Sequence, residues 1–130
     1  MKLIIERYSK NKNLIAIGDL SVINELDKKF KLIYRDSKVN IESIESDYPL
    51  LALEDLRLQL EEKFSSLINC SGCRKDVSYR PTGGMGSYII EMGKPATKRI
   101  NLFEPTKQIE LLCTVDEQKK YYTEWIDNFE

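Results

Sequence analysis

The sequence predicts an α+β fold, in which an antiparallel or mixed β-sheet built from hairpins packs against a long central helix and a C-terminal helix. Three observations favour it. Apolar residues recur at helical spacing over residues 49–68. Short segments typical of strands lie close together in pairs and do not alternate strictly with helices. The last segment opens with a helix-capping sequence at Thr114.

The N-terminal third is predicted to contain a hairpin, a short helix and a further strand. Residues 2–8 and 13–18 are typical of strands and flank the polar turn 10–13, where Asn tolerates left-handed backbone angles. Over residues 19–30 the apolar residues recur three or four positions apart, which favours an amphipathic helix. Residues 31–35 are typical of another strand.

The central helix is the clearest element of the sequence. It is predicted over residues 49–68, with Pro49 in its first turn and Asp47 as a candidate cap. One stripe of apolar residues is expected to face the core: Leu50, Leu53, Leu56, Leu60, Phe64 and Leu67.

The second half of the chain is predicted to hold a second hairpin and two more strands. Residues 77–80 and 87–92 flank a Gly-rich segment, 81–86, which is expected to be the hairpin turn. Residues 99–103 and 108–113 are also typical of strands.

The closing helix is predicted from a capping box, in which Thr114 and Glu117 each bond to the other's backbone N–H. Its apolar stripe is expected to belong to the core: Tyr121, Tyr122, Trp125, Ile126 and Phe129.

Length and composition favour one cytoplasmic domain spanning residues 1–130. Hydrophobic residues make up 42% of the 130, which is typical of a globular chain and not of a disordered one. The apolar runs are far shorter than the ~20 residues that cross a bilayer, so no membrane partner is expected. Three cysteines do not make a disulfide framework, which favours a reducing compartment.

The chain contains no histidine, the side chain whose unperturbed pKa lies nearest neutrality. This excludes Ser-His-Asp and Cys-His catalysis and zinc proteases that bind their metal through histidine. Carboxylate, lysine, tyrosine and thiol chemistry remain. Because these remaining residue types form no recognisable catalytic arrangement in the sequence, we expect no catalytic residues, no cofactor and no small-molecule substrate. We predict that the protein is not an enzyme.

Cys70 and Cys73 form the one motif with recognised chemistry, because two thiols at this spacing can form a redox disulfide or half of a zinc site. A redox pair needs the N-terminus of a helix, whereas this pair follows a helix and is expected to precede a strand. A zinc site needs two more ligands, and Cys113 is the only other thiol. Ordinary cysteines in a connecting loop are the favoured interpretation, and no metal site is predicted.

The segment 81–86 also invites a phosphate-binding interpretation, since glycine lets backbone N–H groups converge on an anion. A P-loop, however, needs a Lys-Ser/Thr pair that opens a helix. Gly86 is followed by a sequence typical of a strand, which favours a hairpin turn.

Asp76, Glu91 and Lys94 have the residue types of metal-dependent nucleases that hold Mg²⁺ with carboxylates. On one strand, residues three apart point to opposite faces. Glu91 and Lys94 are therefore expected to point apart, which disfavours a nuclease.

Basic residues surround the second predicted hairpin, with Tyr79 and Tyr88 among them. They are Arg74, Lys75, Arg80, Lys94, Lys98 and Arg99. A net charge of −1 and two acidic helices disfavour direct binding of nucleic acid, because phosphate affinity depends on a concentrated positive field. The alternative interpretation is that these basic residues lie on a sheet face that is exposed to solvent.

The central helix carries a second apolar pair, Leu51 and Leu58, nearly opposite its core stripe. Carboxylates flank this pair on both sides: Glu54 and Glu61 on one, Asp55 and Glu62 on the other. Apolar residues inside a charged rim are typical of a partner-binding patch, here for a basic protein. The alternatives are that a loop or second layer covers the two leucines, or that each is singly exposed.

A histidine-free α+β domain of this size, with acidic helices and no active-site signature, resembles the immunity proteins of bacterial toxin systems, especially those of contact-dependent growth inhibition. The nearest points of resemblance are the acidic helix segment 50–62 and the segment 79–88. These families share no motif that can be laid on this sequence, so no residue is assigned by family.

The resemblance implies a protein that neutralises one cognate toxin domain, often a nuclease, by stoichiometric binding through acidic surface. The alternative from another class is a small metal- or thiol-dependent protein or enzyme that uses Cys70 and Cys73, or Asp76 and Glu91.

Overall fold

The computed structural model describes residues 1–24 and 29–128, and these form seven strands and two α-helices. The strands are β1 (Lys2–Ser9), β2 (Leu14–Ile23), β3 (Lys31–Arg35), β4 (Asn40–Glu42), β5 (Ser66–Ile68), β6 (Gly86–Glu91) and β7 (Lys94–Asn101). The helices are α1 (Pro49–Phe64) and α2 (Val115–Asp127). The α+β class predicted from the sequence is confirmed.

Five strands form an antiparallel sheet in the order β4-β3-β2-β1-β5, and β6 and β7 form a separate hairpin. The first hairpin, β1 and β2, is as predicted, but β2 is longer. Its last residues replace the start of the helix predicted over 19–30. Leu20 and Val22 are buried two positions apart, which is the period of a strand, and both pair with β3. Residues 25–28 of that predicted helix lie outside the described residues.

Helix α1 packs against the five-stranded sheet through the predicted core stripe, and Leu53, Leu56 and Leu60 are fully buried. It ends four residues earlier than predicted. Ser65 adopts a left-handed conformation with a φ of 46° and turns the chain into β5, which pairs with β1. At the other end Tyr48 is the N-cap residue and no side chain caps the helix, so the cap predicted at Asp47 is wrong.

The second hairpin differs from the prediction. Strand β6 pairs with β7 across the turn Met92–Gly93, where Gly93 adopts a φ of 76°, a conformation that favours glycine. Residues 77–80 contribute a single bridge, between Val77 and Ile89. Of the strand predicted at 99–103, residues 99–101 form the end of β7 and residues 102 and 103 lie beyond it. The strand predicted at 108–113 contains a 3₁₀ turn instead.

Helix α2 begins with the predicted capping box, in which Glu117 N–H donates to Thr114 Oγ1 and Thr114 N–H donates to Glu117 Oε1. Its aromatic stripe is not core, contrary to prediction. Only Val115 and Gln118 of the helix are buried, because α2 packs on the body through its first turns. Ile126 is 46% exposed, the other described stripe residues are half-buried, and Phe129 lies outside the described residues.

Within the described residues, no helix combines the length and the apolarity needed to cross a bilayer.

Candidate partner-binding surface

The outward face of α1 carries exposed apolar side chains. Tyr48, Leu51 and Leu58 are spaced so that they share this face, and Tyr48 and Leu58 are 44% and 38% exposed. Leu51 is half-buried. Ile44, in the segment before the helix, is 58% exposed and lies beside this face because its N–H donates to Asp55 Oδ2 over 2.9 Å. We call these four residues, Ile44, Tyr48, Leu51 and Leu58, the α1 patch.

Sequence reasoning found Leu51 and Leu58 but missed Ile44 and Tyr48. The spacing of three between Tyr48 and Leu51 indicates that Tyr48 shares the face of Leu51, but the predicted helix begins one residue later, at Pro49. Ile44 carried no such signal, since its place beside α1 depends on the hydrogen bond to Asp55.

Three of the four carboxylates predicted to frame the patch are engaged within the protein. Glu54 forms an ion pair with Lys119 of α2 at 2.5 Å. Asp55 accepts hydrogen bonds from Ile44 N and from Gln59 Nε2. These contacts tie α1 to its neighbours and leave less of the negative charge free for a partner.

Glu61 is the third engaged carboxylate, and it accepts a hydrogen bond of 3.0 Å from the N–H of Val115 at the start of α2. Burial raises the pKa of Glu61 despite this bond. Burial also opposes ionisation of Glu54, but Lys119, Tyr79 and Arg57 together outweigh it and lower the pKa.

Glu62 differs from these three, because it is exposed and has no ion-pair partner among the residues that the structure describes. Two further exposed carboxylates, Glu45 and Asp47, lie in the segment that contributes Ile44 and Tyr48. The free charge around the α1 patch is therefore negative, and part of it comes from residues outside the helix.

The three cysteines are free thiols, and all three are buried. Arg57 of α1, only 3% exposed, lies among them and donates through Nη2 to the carbonyl of Cys113 at 2.9 Å. The thiol of Cys113 donates weakly to the carbonyl of Cys73 over 3.7 Å. Cys70 and Cys73 lie in the segment that connects β5 to β6, as predicted, and both also belong to the hydrophobic core.

Burial and neighbouring groups set the pKa values of these thiols. The hydrogen bond with Cys73, together with burial, holds the pKa of Cys70 well above its ordinary value. Burial raises the pKa of Cys113 to about 12. Burial opposes ionisation of Cys73, but the Cys70 thiol and the Arg57 guanidinium lower its pKa.

We predict that no thiol of the native protein reacts with a disulfide reagent on the minute timescale. Cys70 and Cys73 are at most 1% exposed, and reaction needs a thiolate that the reagent can reach. The number of reactive thiols is measured from the chromophore that the reagent releases, before and after denaturant is added. All three thiols should react once the chain is unfolded, whereas rapid labelling of two in native protein would support a thiol-dependent function.

The residue types typical of metal-dependent nucleases do not converge. Arg74 donates to both carboxylate oxygens of Asp76, over 2.8 and 2.7 Å. Glu91 and Lys94 face each other across the β6–β7 turn and form an exposed ion pair at 3.3 Å, so the prediction that they point apart is wrong. The described part of the chain holds no group of three or more side chains that could bind a metal ion.

Comparison with models of known protein families finds no match, and comparison with curated protein sequences finds no significant one.

Proposed function

We propose that this protein is a non-catalytic binding module that neutralises a cognate bacterial toxin domain by stoichiometric association. The observation that carries the proposal is the α1 patch, in which Ile44, Tyr48 and Leu58 are exposed apolar residues along or beside one face of α1. Exposed apolar groups that cluster inside a polar rim are typical of protein interfaces, and tyrosine is enriched at their energetic centres.

The charge around the patch supports a basic partner. Glu45, Asp47 and Glu62 are exposed carboxylates that can steer a positively charged surface toward the apolar residues. Toxin nuclease domains have basic substrate clefts, since they bind phosphate, which makes them the partner class that the resemblance to immunity proteins implies.

Three free, buried cysteines support the cytoplasm as the site of action. Thiols persist unpaired in the reducing cytoplasm, whereas small exported domains use cysteines as disulfides.

We predict that Leu58→Asp weakens binding to the cognate toxin domain by roughly thirtyfold or more, which corresponds to about 2 kcal/mol for an interface hot spot. Leu58 belongs to the apolar centre of the patch and not to its charged rim, so the new carboxylate would be buried against an apolar part of the partner without a counter-ion. Calorimetric titration of wild type and variant measures the effect. Ile126→Asp is the matched control, since Ile126 is an exposed apolar residue of the other helix. Equal losses in both variants, or none in Leu58→Asp, would remove the α1 patch from the interface.

A further inference from the structure

A cleft of about 680 Å³ opens on the side of the molecule formed by segment 81–86, the β6–β7 hairpin and α2. Clefts that bind small molecules measure about 300 to 1,000 Å³. The side chains that could grip a ligand there are Arg80, Thr82, Tyr88, Arg99, Tyr122 and Trp125.

One wall of the cleft is aromatic and held in place. The rings of Tyr122 and Trp125 stack with their centroids 6.2 Å apart and their planes 24° apart. The indole N–H of Trp125 donates to the carbonyl of Lys94 over 3.0 Å, which fixes the indole against the hairpin. Both rings belong to the apolar stripe of α2 that was predicted to be core. They are half-buried and line the cleft.

The other wall is cationic. The guanidinium of Arg99 lies 5.7 Å from the centroid of the Tyr88 ring. A Cβ added at Gly86 would come within 2.9 Å of Arg99 Nη2, so glycine leaves the guanidinium its space. Among the described residues, neither Arg80 nor Arg99 forms an ion pair, and no carboxylate lines the cleft. By contrast, Arg7, Arg74 and Lys94 all have acidic partners.

We propose that this cleft binds a nucleoside phosphate, with the base on the Tyr122 and Trp125 wall and the phosphate on Arg80 and Arg99. Guanidinium groups match phosphate oxygens with parallel N–H bonds, and a ring stacked on an aromatic side chain gains affinity without sequence-specific contacts. Because the cleft shares no lining residue with the α1 patch, this site stands independently of the toxin-binding proposal.

The geometry favours a free nucleotide over a nucleic-acid strand. A strand needs an extended positive groove, whereas two other basic residues of this region are engaged, Arg74 with Asp76 and Lys94 with Glu91. The two arginines of this region that form no ion pair among the described residues, Arg80 and Arg99, therefore line one cleft that is the right size for one nucleotide.

Titration of the full-length protein with ADP tests the proposal, with adenosine, pyrophosphate and a short oligothymidylate as further arms. Trp125 is the only tryptophan in the chain, so its fluorescence reports on the cleft wall directly, and calorimetry gives the stoichiometry. We expect ADP to bind one to one and to change the Trp125 emission. Adenosine and pyrophosphate should each bind at least about tenfold more weakly, because each lacks one set of contacts.

Variants separate the cleft from general positive charge. Arg80→Gln and Arg99→Gln should each weaken ADP binding about tenfold or more. Lys98→Gln is the matched control, since Lys98 is an exposed basic residue of β7 outside the cleft, and it should leave binding unchanged.

Four results would overturn the proposal. They are no ADP binding at millimolar concentration, pyrophosphate binding as tight as that of ADP, an equal loss in Lys98→Gln, and oligothymidylate affinity that exceeds that of ADP and rises with length. The last would assign the cleft to single-stranded nucleic acid.

Discussion

Asp36→Asn is expected to lower the free energy of unfolding by about 3 to 5 kcal/mol at neutral pH. The Asp36 side chain is fully buried and accepts hydrogen bonds from Arg7 Nε at 2.7 Å and from the Tyr34 hydroxyl at 2.8 Å. The backbone N–H groups of Lys38 and Val39 also donate to it. Asparagine removes the negative charge and leaves the Arg7 guanidinium buried without its counter-ion. Urea unfolding followed by circular dichroism measures the loss.

The same carboxylate makes stability depend on pH. Burial alone would raise the pKa of Asp36, but the hydrogen bonds from Arg7, Lys38 and Tyr34 outweigh it and lower the pKa to about 2. Because the folded pKa lies below the unfolded one, the contribution is complete above about pH 4 and is lost as the pH falls toward 2. Over that range the free energy of unfolding of the wild type should fall by about 2 kcal/mol. The difference in the free energy of unfolding between wild type and Asp36→Asn should become smaller by the same amount.

Glu42→Gln is the control for the buried pair, because the Lys31–Glu42 ion pair at 2.9 Å is solvent-exposed. Its removal should cost less than about 1 kcal/mol. If Asp36→Asn costs no more than Glu42→Gln, or if the stability that Asp36→Asn loses does not change with pH, the buried Arg7–Asp36 pair does not stabilise the sheet.

Gln118→Met is expected to cost about 3 kcal/mol, because it leaves buried polar groups without partners. Gln118 is fully buried and donates through Nε2 to the carbonyls of Gly72 and Val77, over 3.1 and 3.0 Å. Its Oε1 accepts a short hydrogen bond from Arg57 Nη1. Since only Val115 and Gln118 of α2 are buried, the substitution should also loosen the helix, which Trp125 fluorescence reports during urea unfolding.

Gln59→Met is the matched control for that change. Gln59 of α1 also makes two side-chain hydrogen bonds, to the Glu42 carbonyl and to Asp55, but it is half-buried and water can replace them. The cost should stay within about 1 kcal/mol. A similar cost for both variants would show that burial of the Gln118 network is not what secures α2.

Features set by neighbouring residues were predictable from the sequence. The capping box at Thr114 needs only Glu117, three residues away, and both bonds form as expected. The core stripe of α1 and the pairing of β1 with β2 also follow from local periodicity and a short turn. These elements were sufficient to predict the fold class.

Features that depend on distant partners were not predictable. Residues 19–23 have spacing compatible with a helix, but pairing with β1 on one side and β3 on the other makes them a strand. Residues 66–68 continue the apolar stripe of α1 and nevertheless pair with β1. In both places tertiary contacts override the local pattern.

The candidate sites also combine residues that local spacing predicts with residues that distant contacts bring in. Leu51 and Leu58 were predicted because helical spacing in the sequence places them on one face. Ile44 joins the α1 patch through a hydrogen bond to Asp55, eleven residues further along the chain. The cleft brings Arg80 and Arg99 to the aromatic residues of α2, and no local pattern links these segments. Its aromatic wall was expected in the core, since periodicity indicates an apolar face without revealing what covers it.

The proposed function is tested most directly by titrating the purified protein into the product of the neighbouring gene, as the candidate toxin, with residual toxin activity as the readout. A stoichiometric inhibitor should remove activity in proportion to the amount added and should reach completion at one equivalent. Inactivation of many toxin molecules by one copy of the protein, increasing with time, would instead mean turnover and would contradict a non-catalytic binding module. So would full toxin activity in the presence of excess protein.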